Sequence, residues 1–230
     1  MPIVLALLVV LVALALIALP QLWVTHVIER HSRDRPDFPG TGGEFARHIL
    51  DEAGLGHVLV EPTERGDHYD PETKAVRLLS RHHNGRSLSA VVIAAHEVGH
   101  AIQHATNYGP MVARMRLAKT SFVLERVAAA MMFASPIVMA ITKSVIVFGL
   151  TIGLAFLMFM LGIVFQLVTL PVELDASFGR ALPLLEKQQY IPAKDIPAAR
   201  HILKAAAYTY VAAALMSLLN IARWMKMLRI

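Results

Sequence analysis

The 230-residue chain contains no cysteine. This excludes a thiolate zinc site, a disulfide framework and a cysteine nucleophile, so any metal must be held by His, Asp or Glu. It does not fix the compartment, because a helical membrane protein needs no disulfides. A basic patch interleaved with aromatics is also missing, and the formal net charge is only +5. Nucleic acid is therefore not expected as a partner, and anionic lipid headgroups account for the small positive excess. Neither an internal repeat nor a low-complexity linker is found.

What the chain has in abundance is apolar sequence. Hydrophobic residues make up 56% of it, and the mean hydropathy is +0.53. Such a value is high for an ordinary soluble domain and points to several membrane helices. Four apolar runs stand out: Ile3 to Val24, Ser121 to Thr142, Val145 to Leu170 and Ala205 to Ile221. The first lacks a basic n-region and exceeds a usual signal-peptide core, which favours a retained helix over a cleaved signal. In the second, Glu125 and Arg126 are either an intramembrane pair or, more commonly for such residues, a snorkelling pair at the headgroup boundary.

The sequence thus predicts a mainly α, helical integral membrane protein with about four transmembrane helices and a small α+β part carrying a short sheet. The expected divisions are an N-terminal membrane helix over 1–27, a soluble α+β part over 28–119, and membrane helices over 120–230 interrupted by a segment at 171–180.

In the soluble part, Thr41-Gly42-Gly43-Glu44 reads as a helix start. Phe45, Ile49, Leu50 and Ala53 form its apolar stripe, and Gly54 ends it. Val58-Leu59-Val60 and Ala75 to Leu79 read as two short strands, with Asp67-His68-Tyr69-Asp70-Pro71 as the turn between them. The second strand is either one half of a plain ribbon or a free edge that could pair with an extended peptide.

The stretch that carries chemistry is Ala94-Ala95-His96-Glu97-Val98-Gly99-His100. On a helix, His96 and His100 lie one turn apart on one face, so both imidazoles can reach one metal ion. Glu97, beside that face, is placed as a general base rather than a ligand. A chance match in a His-rich chain is the competing explanation. Against it, Ser87 is a ready N-cap and the run after it is apolar on every side, as a buried helix requires. Asn107-Tyr108-Gly109-Pro110 supplies the stop.

A catalytic zinc usually has three protein ligands and an open position. His104 is eight residues from His96, about 12 Å along the axis, too far to converge on the same ion. The motif with a third His ten residues after the first is absent. Glu173 and Asp175 are better placed, because Pro171 could end the long run and open a new turn. A pair of acidic residues favouring a helix N-terminus is the plainer account of the same two residues. Spacing alone leaves both open.

Taken together, AAHEVGHAIQH, the DHYDP turn, GTGGEFARHILDEAGLG, LPVELDAS and AAAYTYVAAAL resemble the membrane-bound neutral zinc metallopeptidases of the YugP type. These are distantly similar to HtpX-like membrane proteases, whose third ligand is a Glu followed four residues later by Asp. Glu173 matches that Glu, Ser177 stands where the Asp would be, and Asp175 is its candidate substitute. The resemblance implies one catalytic zinc ion held by His96, His100 and Glu173, with Glu97 catalytic.

The expected activity is zinc-dependent endopeptidase cleavage of membrane or membrane-proximal protein substrates, with the lipid bilayer as a further partner. Asp175, Ser177, Arg180, Tyr69 and His68 are candidates to support the ligands or the oxyanion, as is His201. Two rivals are a zinc-containing but non-proteolytic membrane scaffold and a transporter with His along an ion path. The second expects ionisable groups at mid-bilayer, and Val145 to Leu170 has none. The expected location is a bacterial inner or cell membrane. Lys and Arg near the run ends favour a cytoplasmic site. The sequence leaves the oligomeric state open.

Overall fold

The computed structural model describes residues 15, 19–20, 22–187 and 190–208. Helical residues 22–30 (α1) lead into α2, Gly42–Glu52. The start of α2 is set by a reciprocal cap. Thr41 Oγ1 accepts from the Glu44 backbone N–H at 3.2 Å, and the Glu44 carboxylate accepts from the Thr41 N–H at 2.7 Å. Phe45, Ile49 and Leu50 are buried on one face, whereas Ala53 is the exposed C-cap and Gly54 follows at φ +70°.

Three strands follow rather than two: β1 (Leu59–Thr63), β2 (His68–Asp70) and β3 (Ala75–Leu79). The sheet order is β1-β3-β2, with β1 parallel and β2 antiparallel to β3. The extra strand is hidden in the stretch that turn chemistry predicts. Buried Tyr69 opposite Val76, and an Asp70–Arg77 ion pair across the strands, hold its three residues extended. β3 is consequently central, with neighbours on both sides. The free edge expected for β3 belongs to β2 instead.

After the short α3 (Ser80–His83), Ser87 caps α4 (Leu88–Ala105), its side chain accepting from the Ala90 N–H at 3.2 Å. Most of α4 is buried, its first turns because Leu88 to Ala95 is apolar nearly all round. Asn107, at φ 50°, turns the chain, and Pro110 then opens α5 (Gly109–Thr142), where a missing N–H costs nothing. Lys143 in the left-handed region and Ser144 make the tight turn into α6 (Val145–Leu174). Pro171 does not end this helix. The chain runs helically through it to Leu174, widens into a π-helical segment at Asp175–Ala181 and continues as α7 (Leu182–Lys187). Glu173 therefore lies at the end of a helix and not in the first turn of a new one. A 3₁₀ turn at Ala193–Asp195 leads to helical residues 196–208 (α8).

Among the described residues, no helix is long and apolar enough to cross a membrane. The expected integral membrane protein with about four transmembrane helices is thereby corrected to a mainly helical fold with a small three-stranded sheet. The physical reason is the use to which part of the apolar sequence is put. Val24 at the end of the first run and Ala205 at the start of the fourth are buried with Phe45 and Leu50 in the main core, as are Val172, Ile202 and Leu203. α5 and α6 pack on each other through Met132, Ile152 and Ala155. Leu19, Leu22, Trp23 and Tyr208 of the first and fourth runs are exposed, while most of those two runs, and the Glu125 side chain, fall outside the described residues. The orientation argument from Lys and Arg at membrane ends loses its premise with the spans.

The contact that positions the site is between α4 and the π-helical segment. A Cβ on Gly99 would sit 2.8 Å from the Ala176 carbonyl oxygen, so only glycine permits this approach. Gly99→Ala is expected to force the two elements apart, at about 1–3 kcal/mol of stability. Thermal unfolding of the full chain checks this, and an unchanged melting temperature would contradict so tight a contact.

Candidate metal centre and active site

Helix α4 carries His96, Glu97 and His100 with 9%, 6% and 6% of their surface exposed, and Glu173 at the end of α6 is fully buried. Glu173 Oε2 lies 3.2 Å from His96 Nε2 and 3.3 Å from His100 Nε2. Among the described residues, these three form the group of His, Asp and Glu able to hold a metal, their ligand atoms all within 4.8 Å of one another. Donors bonded at about 2.0–2.1 Å around a tetrahedral zinc stand about 3.3 Å apart, so both Glu173–His separations fit such an ion.

The hydrogen bonds behind the imidazoles give an independent reason. Gln103, fully buried, donates its amide N–H groups to the Val172 carbonyl and to Asp175 Oδ2, each at 2.8 Å. Its amide oxygen is left to accept from His100 Nδ1 at 2.9 Å. That fixes the His100 proton on Nδ1 and, in the neutral ring, turns the Nε2 lone pair toward the Glu173 carboxylate. Two acceptors held this close need a proton or a cation between them. Ser177 Oγ sits 3.1 Å from His96 Nδ1 and orients the other ring in a similar way.

Glu173 is anchored from its far side, where Arg114 of α5 donates to Oε1 at 2.8 Å. Burial works against its charge, but a hydrogen bond from His100 or His96 in the protonated form outweighs this and holds the carboxyl well below the usual carboxylate range. Glu97 has the opposite balance. Burial pushes its carboxyl up to about 7, His96 opposes the rise, and the charges of Glu173 and Asp67 add to it. Two carboxylates within one site are thus pushed to opposite sides of their ordinary value, the pattern of a ligand beside a proton acceptor.

A cleft of about 560 Å³ opens beside these residues, lined among others by His68 and Tyr69 of β2, His96, Glu97, His100, Arg114 and Arg116. Tyr69 is nearly buried, and its hydroxyl pairs with His104 Nδ1 at 2.9 Å. Burial, aided by the charge of Asp70, pushes the phenol up to about 12 and keeps it protonated. His104 is thus engaged by Tyr69 at the far end of α4. His68 lines the cleft with its Nδ1 tied to the Gly66 carbonyl at 2.8 Å. Asp175 and Arg180 are not among the cleft-lining residues. Arg180 holds Asp175, which in turn holds Gln103. His201 is exposed and lies tilted against Trp23, 5.8 Å between ring centres.

Two residues of this arrangement escape a sequence reading. Gln103 had a signal, since it lies three residues after His100 on the same helix face. Arg114 had none, because its meeting with Glu173 depends on how α5 leaves α4. Gln103→Ala is expected to weaken zinc binding about 10–100-fold, measured by competition with a chromophoric chelator. Unchanged affinity would reduce Gln103 to a packing residue.

A buried helix with HEVGH, faced by a carboxylate from a distant helix, defines a class of zinc-site hydrolase folds. Residues 6–229 match the family model described as "Putative neutral zinc metallopeptidase", and the chain belongs to that family. It is similar to the "Putative membrane protease YugP" of Bacillus subtilis (strain 168), with 38% identity over 215 residues, covering 92% of this chain and 91% of the relative. No solved structure matches.

Proposed function

We propose that the chain is a zinc-dependent endopeptidase in which His96, His100 and Glu173 hold the metal and Glu97 is the general base. The observation that carries this reading is the convergence of two imidazole Nε2 atoms and one carboxylate oxygen beside an open cleft that Glu97 also lines. A zinc ion bound there would activate water as a nucleophile at neutral pH and polarise the scissile carbonyl.

The chain's own residues do the rest. Glu97 Oε takes the proton from the attacking water and passes it to the leaving amine nitrogen, which a carboxyl raised to about 7 suits. Arg114 anchors Glu173 through Oε1 and brings positive charge to the cleft wall, where negative charge develops on the carbonyl oxygen. Tyr69 and His68 are retained as candidates to contact that oxygen, because both line the same cleft. Ser177 and Gln103 hold the imidazoles, while Asp175 and Arg180 hold Gln103. The edge strand β2 gives an extended substrate a backbone to run beside.

Substrates are proposed to be membrane-proximal proteins. The similarity to a Bacillus protein named as a membrane protease supports this, as do Phe133, Ile141, Ile146 and Leu150, exposed on the α5–α6 hairpin. The alternative of a non-proteolytic scaffold requires a closed metal site, and a cleft of about 560 Å³ against the triad favours the enzyme. The test is hydrolysis of a peptide mixture by the purified full chain, followed by mass spectrometry. Cleavage that a chelator abolishes and zinc restores is expected, and cleavage indifferent to the chelator would overturn the proposal.

A further inference from the structure

A second cavity lies against the same catalytic residues and is chemically unlike the first. His96, Glu97 and Asp67 line both. Beyond them, its walls are aliphatic, with Ile28 of α1, Val92 and Ile93 of α4, and Ile202, Leu203 and Ala206 of α8. Its volume is about 170 Å³. The Asp67 carboxylate in its lining is already engaged, accepting from the Leu79 N–H and pairing with His82 Nδ1, each at 2.8 Å.

Resting on the peptidase proposal, we infer that this cavity receives one apolar side chain of the substrate, next to the bond that is cut. Because His96 and Glu97 form a wall common to both cavities, a chain lying in the large cleft with its carbonyl at the triad has the smaller cavity within reach of a neighbouring residue. Size sets the occupant. An apolar cavity of about 150 Å³ accepts a benzene ring, so side chains from Val to Leu, Met or Phe fit here. Charged side chains are rejected because the aliphatic interior leaves them desolvated. The substrate class is therefore a protein segment with a medium-sized apolar residue beside the scissile bond, and Gly or Asp at that position is disfavoured.

The experiment uses the zinc-loaded full chain and otherwise identical peptides carrying Gly, Ala, Leu, Phe or Asp at each position flanking the cleaved bond. At one flanking position, kcat/KM for Leu should exceed that for Gly by at least about tenfold. Ala206→Phe, which fills the cavity from a partly exposed position, should lower the Leu-to-Gly ratio by about tenfold or more. Ile28→Ala, which enlarges it, should move the preference toward Phe. Zinc content measured alongside separates an altered cavity from a lost metal. Cleavage with no side-chain preference, or a preference that both variants leave intact, would overturn the assignment while leaving the hydrolase proposal standing. A zinc-loaded wild type that cleaves none of the peptides would remove the hydrolase proposal and this one with it.

Discussion

Glu97→Gln in the full-length chain will keep its zinc and lose peptide hydrolysis. The substitution preserves the volume of a side chain that is 6% exposed, so α4 and the imidazoles on either side should stay in place. What disappears is the ability to take a proton. General-base catalysis contributes about 10²–10⁴-fold, and kcat should fall by that much while KM changes little. An amide in place of a carboxyl that burial already pushes toward neutrality should cost little stability, so the melting temperature is a useful control. Zinc content equal to the wild type together with undiminished kcat would remove Glu97 from the proton path.

Glu173→Ala will instead lose the metal. The carboxylate is fully buried and meets His96, His100 and Arg114. Deleting it takes one of three donors from the triad and leaves the Arg114 guanidinium without the partner that offsets its desolvation. Breaking a buried pair from one side costs about 3–5 kcal/mol, and Arg114, 27% exposed, should reach only the lower part of that range. The expected outcome is zinc content falling from one ion per chain to background, with hydrolysis lost in parallel. Glu173→Gln keeps the shape and removes the charge, so it separates loss of a ligand from loss of packing. Retained zinc in both variants would move the third ligand elsewhere.

How far these features can be read from residues differs from element to element. Thr41 and Glu44 announce the start of α2 because a capping box is a local device satisfied within four residues. Ser87 and the apolar run after it do the same for α4. HEVGH is legible because one helical turn is a fixed distance. Strand β2 was not legible, since three residues of turn composition become extended only through β3 beside them. Pro171 misled for a related reason. Proline disfavours a helix interior by removing one donor, but surrounding packing can carry a helix through it, as α6 does here.

The apolar runs show the limit of composition. Hydropathy counts how much apolar surface must leave water without saying what it is buried against. Within those runs, Val24 and Ala205 are buried in the main core, in one cluster with residues of the helix that bears the two histidines. Arg114, by contrast, is an ordinary surface-type residue in sequence and takes its place beside Glu173 only through the path of α5.

The claim on which all of this depends is a single zinc held by His96, His100 and Glu173 with one position open. Zinc K-edge X-ray absorption on the full chain tests it most directly. The account predicts one ion per chain with two imidazole nitrogens, one carboxylate oxygen at about 2.0–2.2 Å and a non-protein ligand completing the shell. A shell filled entirely by protein donors, or one without imidazole, would contradict it.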